Sequence, residues 1–286
     1  MHRLSDTEKE IKSTPTLSWP TQVVRADGPQ EHNSAMPLEE PLSVEVNGQR
    51  VAVLMRLPGG EKELALGFCI SEGIIAGFED VLIVRHCGSD LPAPAGKGEE
   101  QSESRNRVHI HARPESLNFD APSNVLRLIR SGCGAVNPSY MTNDLPRLNG
   151  NLGVSTRVLL GLNASMRQAQ ELYKLSGGVH AAAIFDAQGC LLALEEDIGR
   201  HNAIDKVIGY CLLRGIPLRD HILVATGRAS HEMVTKSVRV GIAVVASISA
   251  ATTMAAQIAE DRGVTLIGYL RSKRMSVYTH PWRIEG

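Results

Sequence analysis

Residues 222–270 read ILVATGRASHEMVTKSVRVGIAVVASISAATTMAAQIAEDRGVTLIGYL, and this stretch decides the fold. Short apolar runs of strand length alternate in it with longer segments of helical character. The predicted strands span residues 222–225, 243–247 and 266–270, and the predicted helices span residues 230–239 and 252–262. Alternation of this kind is typical of a layered α/β sheet.

The same alternation begins upstream of this stretch. Residues 181–185 and 191–195 have the pattern of paired strands, and residues 200–213 have the pattern of a helix. We therefore place a layered α/β domain over residues 176–286.

A smaller α+β domain is predicted before it, over residues 37–175. Residues 42–46 alternate apolar and polar side chains up to Asn47-Gly48, a dipeptide that favours a tight hairpin turn. The further predicted elements are a second hairpin strand at residues 51–55, helices at 61–73 and 156–175, and strands at 81–86 and 107–112. Residues 1–36 mix charged residues with Pro, Ser and Gln without sustained periodicity, which predicts a poorly ordered tail.

Composition excludes several classes of function. The 286 residues include 30 basic and 31 acidic side chains, so no global field draws the chain to nucleic acid or anionic lipid. Aromatic residues make up 4%, too few for base-stacking platforms. No apolar run approaches the ~20 residues of a membrane helix, and residues 1–25 lack the apolar segment of a signal peptide. We therefore expect a cytoplasmic protein that binds neither nucleic acid nor membrane.

The cysteines point to a reducing compartment. They stand at positions 69, 87, 133, 190 and 211, an odd number without the spacing of a disulfide framework or a tetrahedral zinc site. Cys133 differs from the others because glycines flank it in the stretch RSGCG, and Arg127 and Arg130 provide the electropositive setting of a reactive thiol. The same local sequence also fits a cysteine that serves only as a small apolar side chain.

Polar and small residues follow the predicted strands, where open α/β sheets bind ligands. The junctions read EDIGRH at residues 196–201, TGRAS at 226–230 and SISAAT at 247–252, and the basic run RSKR follows at 271–274. Helix starts offer N–H groups and a positive dipole end to phosphate, and two of these junctions add an arginine. The set predicts a site for a polyanion such as a nucleotide pyrophosphate. The alternative is that these residues serve only as helix caps and a solvated loop.

The histidines provide candidates for polar chemistry but not for a metal site. His180 and His201 lie near strand ends, where each could act as an acid, a base or a ligand contact, or only as a hydrogen-bonded structural residue. His109 and His111 share one face of a strand, with no third metal ligand nearby in sequence. The His-x-Glu and Pro-Cys-x-x-Cys pattern of zinc deaminases is missing as well. We therefore predict no metal site and no zinc.

Three segments carry a family resemblance, GVHAAA at residues 178–183, EDIGRHNAIDK at 196–206 and GRASHEMVTK at 227–236. They resemble the signatures of the FdhD family of formate dehydrogenase accessory sulfurtransferases, and shorter matches extend the resemblance over residues 40–279. The resemblance implies that a cysteine desulfurase passes sulfur as a persulfide to a cysteine of the protein. That sulfur is then delivered to the bis(molybdopterin guanine dinucleotide) molybdenum cofactor, as bound substrate, before the cofactor enters formate dehydrogenase. The resemblance also implies a cytidine-deaminase-like core without zinc, and a homodimer.

The resemblance assigns roles to single residues. Cys133 matches the first cysteine of the family's Cys-Gly-x-Cys-Gly segment and is the expected persulfide carrier, whereas Val136 stands in place of the second cysteine. The family's cofactor-contacting segment falls on Tyr269-Leu270-Arg271-Ser272-Lys273-Arg274, in which Ser272 replaces a glycine. With Arg228 and His201, these residues form the expected cofactor site.

The leading hypothesis is a cytoplasmic sulfurtransferase that carries sulfur on Cys133 to the molybdenum cofactor. Val136 motivates an alternative, a non-catalytic chaperone of the molybdenum cofactor or of a guanine nucleotide, because Cys133 lacks the neighbour that would resolve its persulfide as a local disulfide. A nucleotide hydrolase is the weakest hypothesis, because the sequence offers no metal ligands to activate water.

Overall fold

The computed structural model describes residues 15–87, 106–119, 144–150 and 152–286, and Cys133 lies outside these ranges. Within them the strands are Thr16–Arg25 (β1), Gly28–Pro37 (β2), Glu40–Val46 (β3), Gln49–Arg56 (β4), Val81–Cys87 (β5), Arg107–Ala112 (β6), Val154–Ser155 (β7), His180–Phe185 (β8), Leu191–Asp197 (β9), Ile222–Ala225 (β10), Val244–Ser247 (β11), Thr265–Gly268 (β12), Ser276–Val277 (β13) and Ile284–Glu285 (β14). The α-helices are Glu61–Ser71 (α1), Thr156–Ala169 (α2), Glu171–Ser176 (α3), Arg200–Leu213 (α4), His231–Arg239 (α5) and Thr253–Arg262 (α6).

The six-stranded sheet of the C-terminal part runs in the order β13-β12-β11-β10-β8-β9. Its strands β10, β11 and β12 are parallel, whereas β8 is antiparallel to β10 and β13 is antiparallel to β12. Every residue of β10, β11 and β12 is buried, which explains why these strands are largely apolar, with Ser247 and Thr265 as buried polar residues at strand ends. The predicted α/β character is confirmed as a mixed α/β fold, and the cytidine-deaminase-like layering stays a prediction.

The four-stranded sheet, in the order β4-β3-β6-β5, packs one face against α1. Leu42, Val44 and Val46 of β3 point to this face and are fully buried, as their alternation with polar residues predicted. Asn47 and Gly48 close the β3–β4 hairpin with φ angles of 48° and 82°. A type I′ turn requires two positive φ angles in succession, so the predicted hairpin is confirmed.

Residues 16–36 correct the predicted tail. β1 and β2 pair along their whole length as an antiparallel hairpin, with Thr16 opposite Pro37 and Arg25 opposite Gly28. Most of their side chains are exposed. A strand pair with neither face buried has no need to alternate apolar and polar residues, so the usual sequence signal of a strand was missing. The division of the whole chain into domains stays a prediction.

The predicted helix at residues 156–175 is two helices, because the chain leaves the helical conformation at Gln170. The reason is Glu196 of β9. Its carboxylate accepts hydrogen bonds from the backbone N–H groups of Glu171, Leu172 and Tyr173 at 2.8–3.0 Å. These N–H groups have no partner within a helix that begins there, and a carboxylate is well placed at its positive end. Helix α3 therefore begins on a tertiary contact.

Helix α1 crosses helix α4 at a contact made by glycines. A Cβ atom on Gly67 of α1 would lie 1.8 Å from the carbonyl oxygen of Asp205, and one on Gly209 of α4 would lie 1.9 Å from that of Glu63. Only a hydrogen atom fits at either position, so the two helix backbones touch. Because α1 lies on the four-stranded sheet and α4 on the six-stranded sheet, this crossing joins the two.

Buried charges reinforce the same joint. The ammonium group of Lys236 in α5 lies 2.7 Å from the carboxylates of Asp205 in α4 and of Glu72 at the end of α1. Ser71 accepts a hydrogen bond from this ammonium at 2.9 Å and donates one to Asp205 at 2.6 Å. Burial disfavours the charged form of Lys236, but the two carboxylates outweigh it and raise the pKa of the ammonium group. Lys236 therefore stays charged and ties three helices together.

The helix crossing predicts a pair of opposite stability effects. Gly67→Ala should lower the free energy of unfolding by about 1–3 kcal/mol, because the added methyl group forces the α1 and α4 backbones apart. The matched change Gly161→Ala places the same methyl group on the exposed face of α2, where nothing lies within 4 Å. It should raise the free energy of unfolding by about 0.5–1 kcal/mol, because alanine is the better helix former.

Urea unfolding followed by circular dichroism measures both changes. A Gly67→Ala protein as stable as Gly161→Ala would contradict the close approach of the two helices.

Candidate functional site

Three loops at the carboxyl ends of β10, β11 and β12 lie side by side. Backbone hydrogen bonds join the first to the second, from the Ala229 N–H to the Ala250 oxygen and from the Thr252 N–H to the Ala229 oxygen, both at 3.0 Å. The second and third are joined from the Tyr269 N–H to the Ser249 oxygen at 2.9 Å. The predicted strand-end junctions therefore share one edge of the sheet. We call this row of loops the loop edge, and it comprises residues 226–230, 248–252 and 269–274.

His180 reaches the loop edge because β8 runs antiparallel to β10. The Nδ1 atom of His180 lies 3.0 Å from the hydroxyl oxygen of Thr226, which also accepts the backbone N–H of Ala181 at 3.0 Å. A hydroxyl that accepts one hydrogen bond has its own proton free to donate, here to Nδ1. The hydroxyl can also accept a second hydrogen bond, so this contact is compatible with either tautomer of the neutral imidazole.

Positive charge surrounds His180. Burial lowers the pKa of its imidazole, and the neighbouring side chains of Arg200 and His201 lower it further, against a smaller opposing effect of Asp197. His180 is therefore neutral at pH 7 and contributes a hydrogen-bonding group to the loop edge without adding a charge.

His201, a predicted site residue, lies at the start of α4 and pairs with Glu232 of α5. Its Nε2 atom is 2.9 Å from the Glu232 carboxylate and 3.4 Å from the hydroxyl of Ser230. The side chains of His201 and Glu232 are each 26% exposed, so a ligand at the loop edge can reach both. Sequence reasoning missed Glu232, whose only signal was its place in the first turn after the TGRAS junction.

Two arginines stand beside the first loop. The Arg200 side chain packs on Gly227, where a Cβ atom would lie 2.6 Å from the Arg200 Cδ, so a larger residue at 227 would displace it. The Nε atom of Arg200 is buried without a hydrogen-bond partner. Arg228 of the same loop is exposed. Arg228, predicted from sequence as a site residue, thus belongs to the loop edge together with Arg200.

The predicted cofactor segment begins with two residues of different kinds. Tyr269 has a φ angle of 49°, in the left-handed region, and its side chain is 42% exposed. Leu270 is fully buried in the core beneath the sheet. Leu270 therefore offers no side chain to the loop edge, although it anchors the segment that follows.

The rest of this segment is exposed, but its cations are not equivalent. The Arg271 guanidinium donates hydrogen bonds to the backbone oxygens of Ile248 and Leu270, which ties the third loop to the second. The Arg271 N–H donates to the Arg274 oxygen at 2.9 Å and closes a turn. Ser272, Lys273 and Arg274 present their side chains to solvent. Arg271 is thus engaged in holding the loop edge together, whereas Lys273 and Arg274 lie open to an anion.

Other residues of the EDIGRHNAIDK segment serve the fold. Asp197 is fully buried, with its carboxylate 2.7 Å from the ammonium of Lys206 and accepting the N–H groups of Leu57 and Gly199 at 3.1 and 3.0 Å. The Lys206 ammonium donates in turn to the Leu57 oxygen at 2.9 Å. These bonds hold the chain that follows β4 against α4. A single segment therefore supplies both structural contacts and the loop-edge residues Arg200 and His201.

The described cysteines differ in their surroundings. Cys69 and Cys211 are fully buried, and burial raises the pKa of both thiols, that of Cys211 to about 12. Protonated thiols are poor nucleophiles, so neither is suited to carry sulfur. Cys190 is exposed and Cys87 is half-buried. The predicted carrier Cys133 lies outside the described residues, and its role stays a prediction.

In the described ranges, no three His, Cys, Asp or Glu side chains are arranged to hold a metal ion. The predicted absence of zinc stays a prediction. No helix in the described part of the chain is long and apolar enough to span a bilayer.

Fold and site together define a mixed α/β protein with a cationic loop edge. The family model described as FdhD/NarQ matches residues 37–285. The chain belongs to the FdhD/NarQ family, which confirms the predicted resemblance.

Curated relatives match nearly the whole chain. The sulfur carrier protein FdhD of Thermoplasma acidophilum is 37% identical over 289 residues and covers 97% of each chain. The sulfur carrier protein FdhD of Mycolicibacterium paratuberculosis is 39% identical over 256 residues, covering 86% of this chain and 90% of the relative. A crystal structure described as a formate dehydrogenase accessory protein from Desulfotalea psychrophila has a TM-score of 0.72 at 24% identity, and covers 94% of this chain and 99% of its own. At 24% identity, the similarity to this crystal structure shows a shared fold and nothing about function.

The charges around His180 predict its titration. Its imidazole should titrate below the ordinary value of 6.5, and Arg200→Gln should raise the pKa because it removes a neighbouring positive charge. The unfolded chain takes up this proton at higher pH than the folded one. The contribution of His180 to stability is therefore present above pH 6.5 and is lost as the pH falls below it.

Two-dimensional NMR of the imidazole nitrogens measures the titration, with exposed Arg167→Gln on α2 as the control that should leave it unchanged. A His180 pKa at or above 6.5 in the unmodified protein would contradict the described surroundings.

Proposed function

We propose that this protein is a sulfur carrier that accepts persulfide sulfur from a cysteine desulfurase on Cys133. It transfers this sulfur to the bis(molybdopterin guanine dinucleotide) molybdenum cofactor, which formate dehydrogenase then receives. Membership of a family whose curated members are named sulfur carrier proteins supports the sulfur chemistry. The proposed binding of the molybdenum cofactor is supported by the loop edge, where cations from separate loops are brought together.

Sulfur acceptance is a thiol exchange without net oxidation. The Cys133 thiolate attacks the terminal sulfur of the desulfurase persulfide, a new sulfur–sulfur bond forms, and the desulfurase cysteine leaves as a thiolate. In the second transfer the terminal sulfur leaves Cys133, which keeps the electron pair of the broken bond and returns to the thiolate. The acceptor molybdenum supplies the electron pair of the new bond, so the transferred sulfur is reduced to sulfide and the molybdenum is oxidised by two electrons. The step therefore requires that the cofactor arrives with molybdenum in its reduced state, and with that starting state atoms and electrons balance. A reducing compartment such as the cytoplasm keeps the thiolate available.

The cofactor is the substrate of this reaction, and its guanine dinucleotide ends carry pyrophosphates. Exposed Arg228, Lys273 and Arg274 suit these anions, because charge-assisted hydrogen bonds to phosphate are about twice as strong as neutral ones. His180 and His201 add polar contacts at the same edge. Arg271 contributes by holding two loops in place.

The replacement of the family's second cysteine by Val136 favours one second candidate, a chaperone that binds the cofactor without transferring sulfur. The buried thiols Cys69 and Cys211 do not replace the missing partner, because their raised pKa values keep them protonated. A chaperone and a carrier would share the loop edge and differ only in their need for Cys133.

Mass spectrometry separates the two candidates. After incubation with a cysteine desulfurase and cysteine, the protein should gain the mass of one sulfur atom, ~32 Da, as a persulfide. Cys133→Ala should abolish this gain and the ability to support formate dehydrogenase activity in cells. Cys190→Ala, which removes an exposed thiol, should affect neither.

A chaperone would support formate dehydrogenase equally well with Cys133→Ala. If the sulfur gain persists in Cys133→Ala but disappears in Cys190→Ala, the carrier is Cys190 and the assignment to Cys133 is wrong.

The loop edge is tested with guanosine diphosphate as the probe. The double change Lys273→Gln and Arg274→Gln should weaken binding at least tenfold, because each charge-assisted hydrogen bond contributes about 1.5–3 kcal/mol. Arg167→Gln removes one exposed positive charge away from the edge and should leave binding unchanged. Calorimetric titration at low and high salt measures the affinity of both variant proteins for guanosine diphosphate. An unchanged affinity in the double variant would show that the loop edge is not the nucleotide-binding site.

A further inference from the structure

Tyr278 presents an exposed aromatic ring beside the loop edge. It follows β13, which pairs antiparallel with the end of β12 and places Ser276 opposite Gly268. The Tyr278 side chain is 41% exposed. A Cβ atom on Gly268 would lie 2.8 Å from the ring atom Cε2 of Tyr278 and 3.1 Å from the Ser249 oxygen of the second loop. The ring therefore lies on the backbone at the point where β12 leads into the loop edge.

The chain at Tyr278 is held in place by β12 and the residue before it. The Tyr278 N–H donates to the Leu266 oxygen at 2.9 Å. The hydroxyl of buried Thr279 accepts the Leu266 N–H at 3.0 Å and donates to the Val264 oxygen at 2.7 Å. Because the backbone is fixed at Tyr278 and at the next residue, a ligand that binds the ring loses little free energy in ordering it.

Packing within the sheet explains only part of this arrangement. An aromatic ring can cover a glycine on the neighbouring strand and so compensate for the missing side chain. A single exposed aromatic residue is also ordinary. Tyr278 differs because its ring lies beside the edge at which Arg228, Lys273 and Arg274 are exposed. The ring offers a flat apolar surface and the loops offer positive charge, which together suit a ligand with a flat ring and phosphates.

A nucleotide has this combination of groups. Its phosphates accept charge-assisted hydrogen bonds from lysine and arginine, and its base stacks on an aromatic ring whichever base it is. Single-stranded nucleic acid needs several such rings in succession, for which an aromatic content of 4% is too low. One base needs only one ring. The composition that argues against nucleic acid is therefore compatible with a nucleotide.

We propose that Tyr278 binds the base of a guanine dinucleotide end by stacking, while the exposed cations of the loop edge bind the phosphates. The inference rests on the proposed function, which supplies the identity of the ligand. Stacking does not depend on which base is present. Tyr278 therefore contributes affinity for nucleotides and does not distinguish guanine from adenine.

Calorimetric titration with guanosine diphosphate and with inorganic pyrophosphate separates the base from the phosphates. Tyr278→Leu keeps an apolar side chain over Gly268 but removes the aromatic ring. It should weaken the binding of guanosine diphosphate by at least about fivefold, the lower end of what stacking one base contributes. The binding of adenosine diphosphate should weaken by a similar factor, and that of pyrophosphate should stay unchanged. Tyr278→Phe keeps the ring and should bind all three probes as the unmodified protein does.

Tyr173→Leu is the matched control. Tyr173 of α3 is exposed to nearly the same extent as Tyr278, at 44%. Its backbone N–H is bound by Glu196 of β9, and β9 and β13 form opposite edges of the six-stranded sheet. This change should leave the affinities for all three probes unchanged. Thermal unfolding of each variant shows that the proteins compared are folded.

Nuclear magnetic resonance gives a second readout that is specific to stacking. An aromatic ring shifts the resonances of protons that lie over its face, so the H8 proton of guanosine diphosphate should move upfield when the nucleotide binds. At saturating nucleotide, Tyr278→Phe should keep this shift and Tyr278→Leu should lose it. A shift of the same size in Tyr278→Leu would place the base on another ring and overturn the inference.

The titrations have two outcomes that also overturn it. The first is an unchanged affinity of Tyr278→Leu for guanosine diphosphate. The second is an equal loss of affinity for guanosine diphosphate and pyrophosphate, because Tyr278 would then support the loops and not the base.

The proposed function and the base site fail separately. If Cys133 gains no sulfur while Tyr278→Leu selectively weakens nucleotide binding, the base site stands without sulfur transfer. If Cys133 gains sulfur while Tyr278→Leu binds guanosine diphosphate normally, the role of Tyr278 alone is wrong. An unmodified protein that binds no guanosine diphosphate would overturn the inference whether or not Cys133 gains sulfur.

Discussion

The direct contact between the backbones of α1 and α4 is the constraint on which the rest of the structure depends. Because Gly67 and Gly209 have no side chains, α1 comes close enough for Ser71 and Glu72 to reach Lys236 of α5. A buried ion pair contributes little by itself, but removing one partner leaves an uncompensated charge and costs about 3–5 kcal/mol. The charges therefore fix the arrangement that the glycines permit.

The loop edge results from the direction of the strands. Three parallel strands bring their carboxyl ends to one side, and β8 brings the start of its own strand there because it runs the opposite way. The edge thereby combines cations with the neutral imidazole of His180 and the His201–Glu232 pair.

Much of this architecture could be predicted, since α4 and β6 have the bounds that periodicity indicated and the Asn47-Gly48 turn has its expected geometry. The failures have physical causes. Helix α3 is separated from α2 by the carboxylate of Glu196, and the β1–β2 hairpin buries neither face. Among site residues, His201 and Arg228 were found because they follow strands, whereas Glu232 was missed because glutamate in a first helical turn is ordinary.

The sequence by itself determined the alternation of strands and helices, the family, and the candidate thiol, because these depend on the order and kind of neighbouring residues. Only the tertiary structure decided the separate roles of similar side chains. Arg271 is used to hold loops and Lys273 is open to solvent, although both belong to one basic run. Asp205 and Lys236 are buried partners, although they lie in different signatures. Such roles depend on which distant groups come within hydrogen-bonding reach, and residues far apart in the chain meet only when the helices pack.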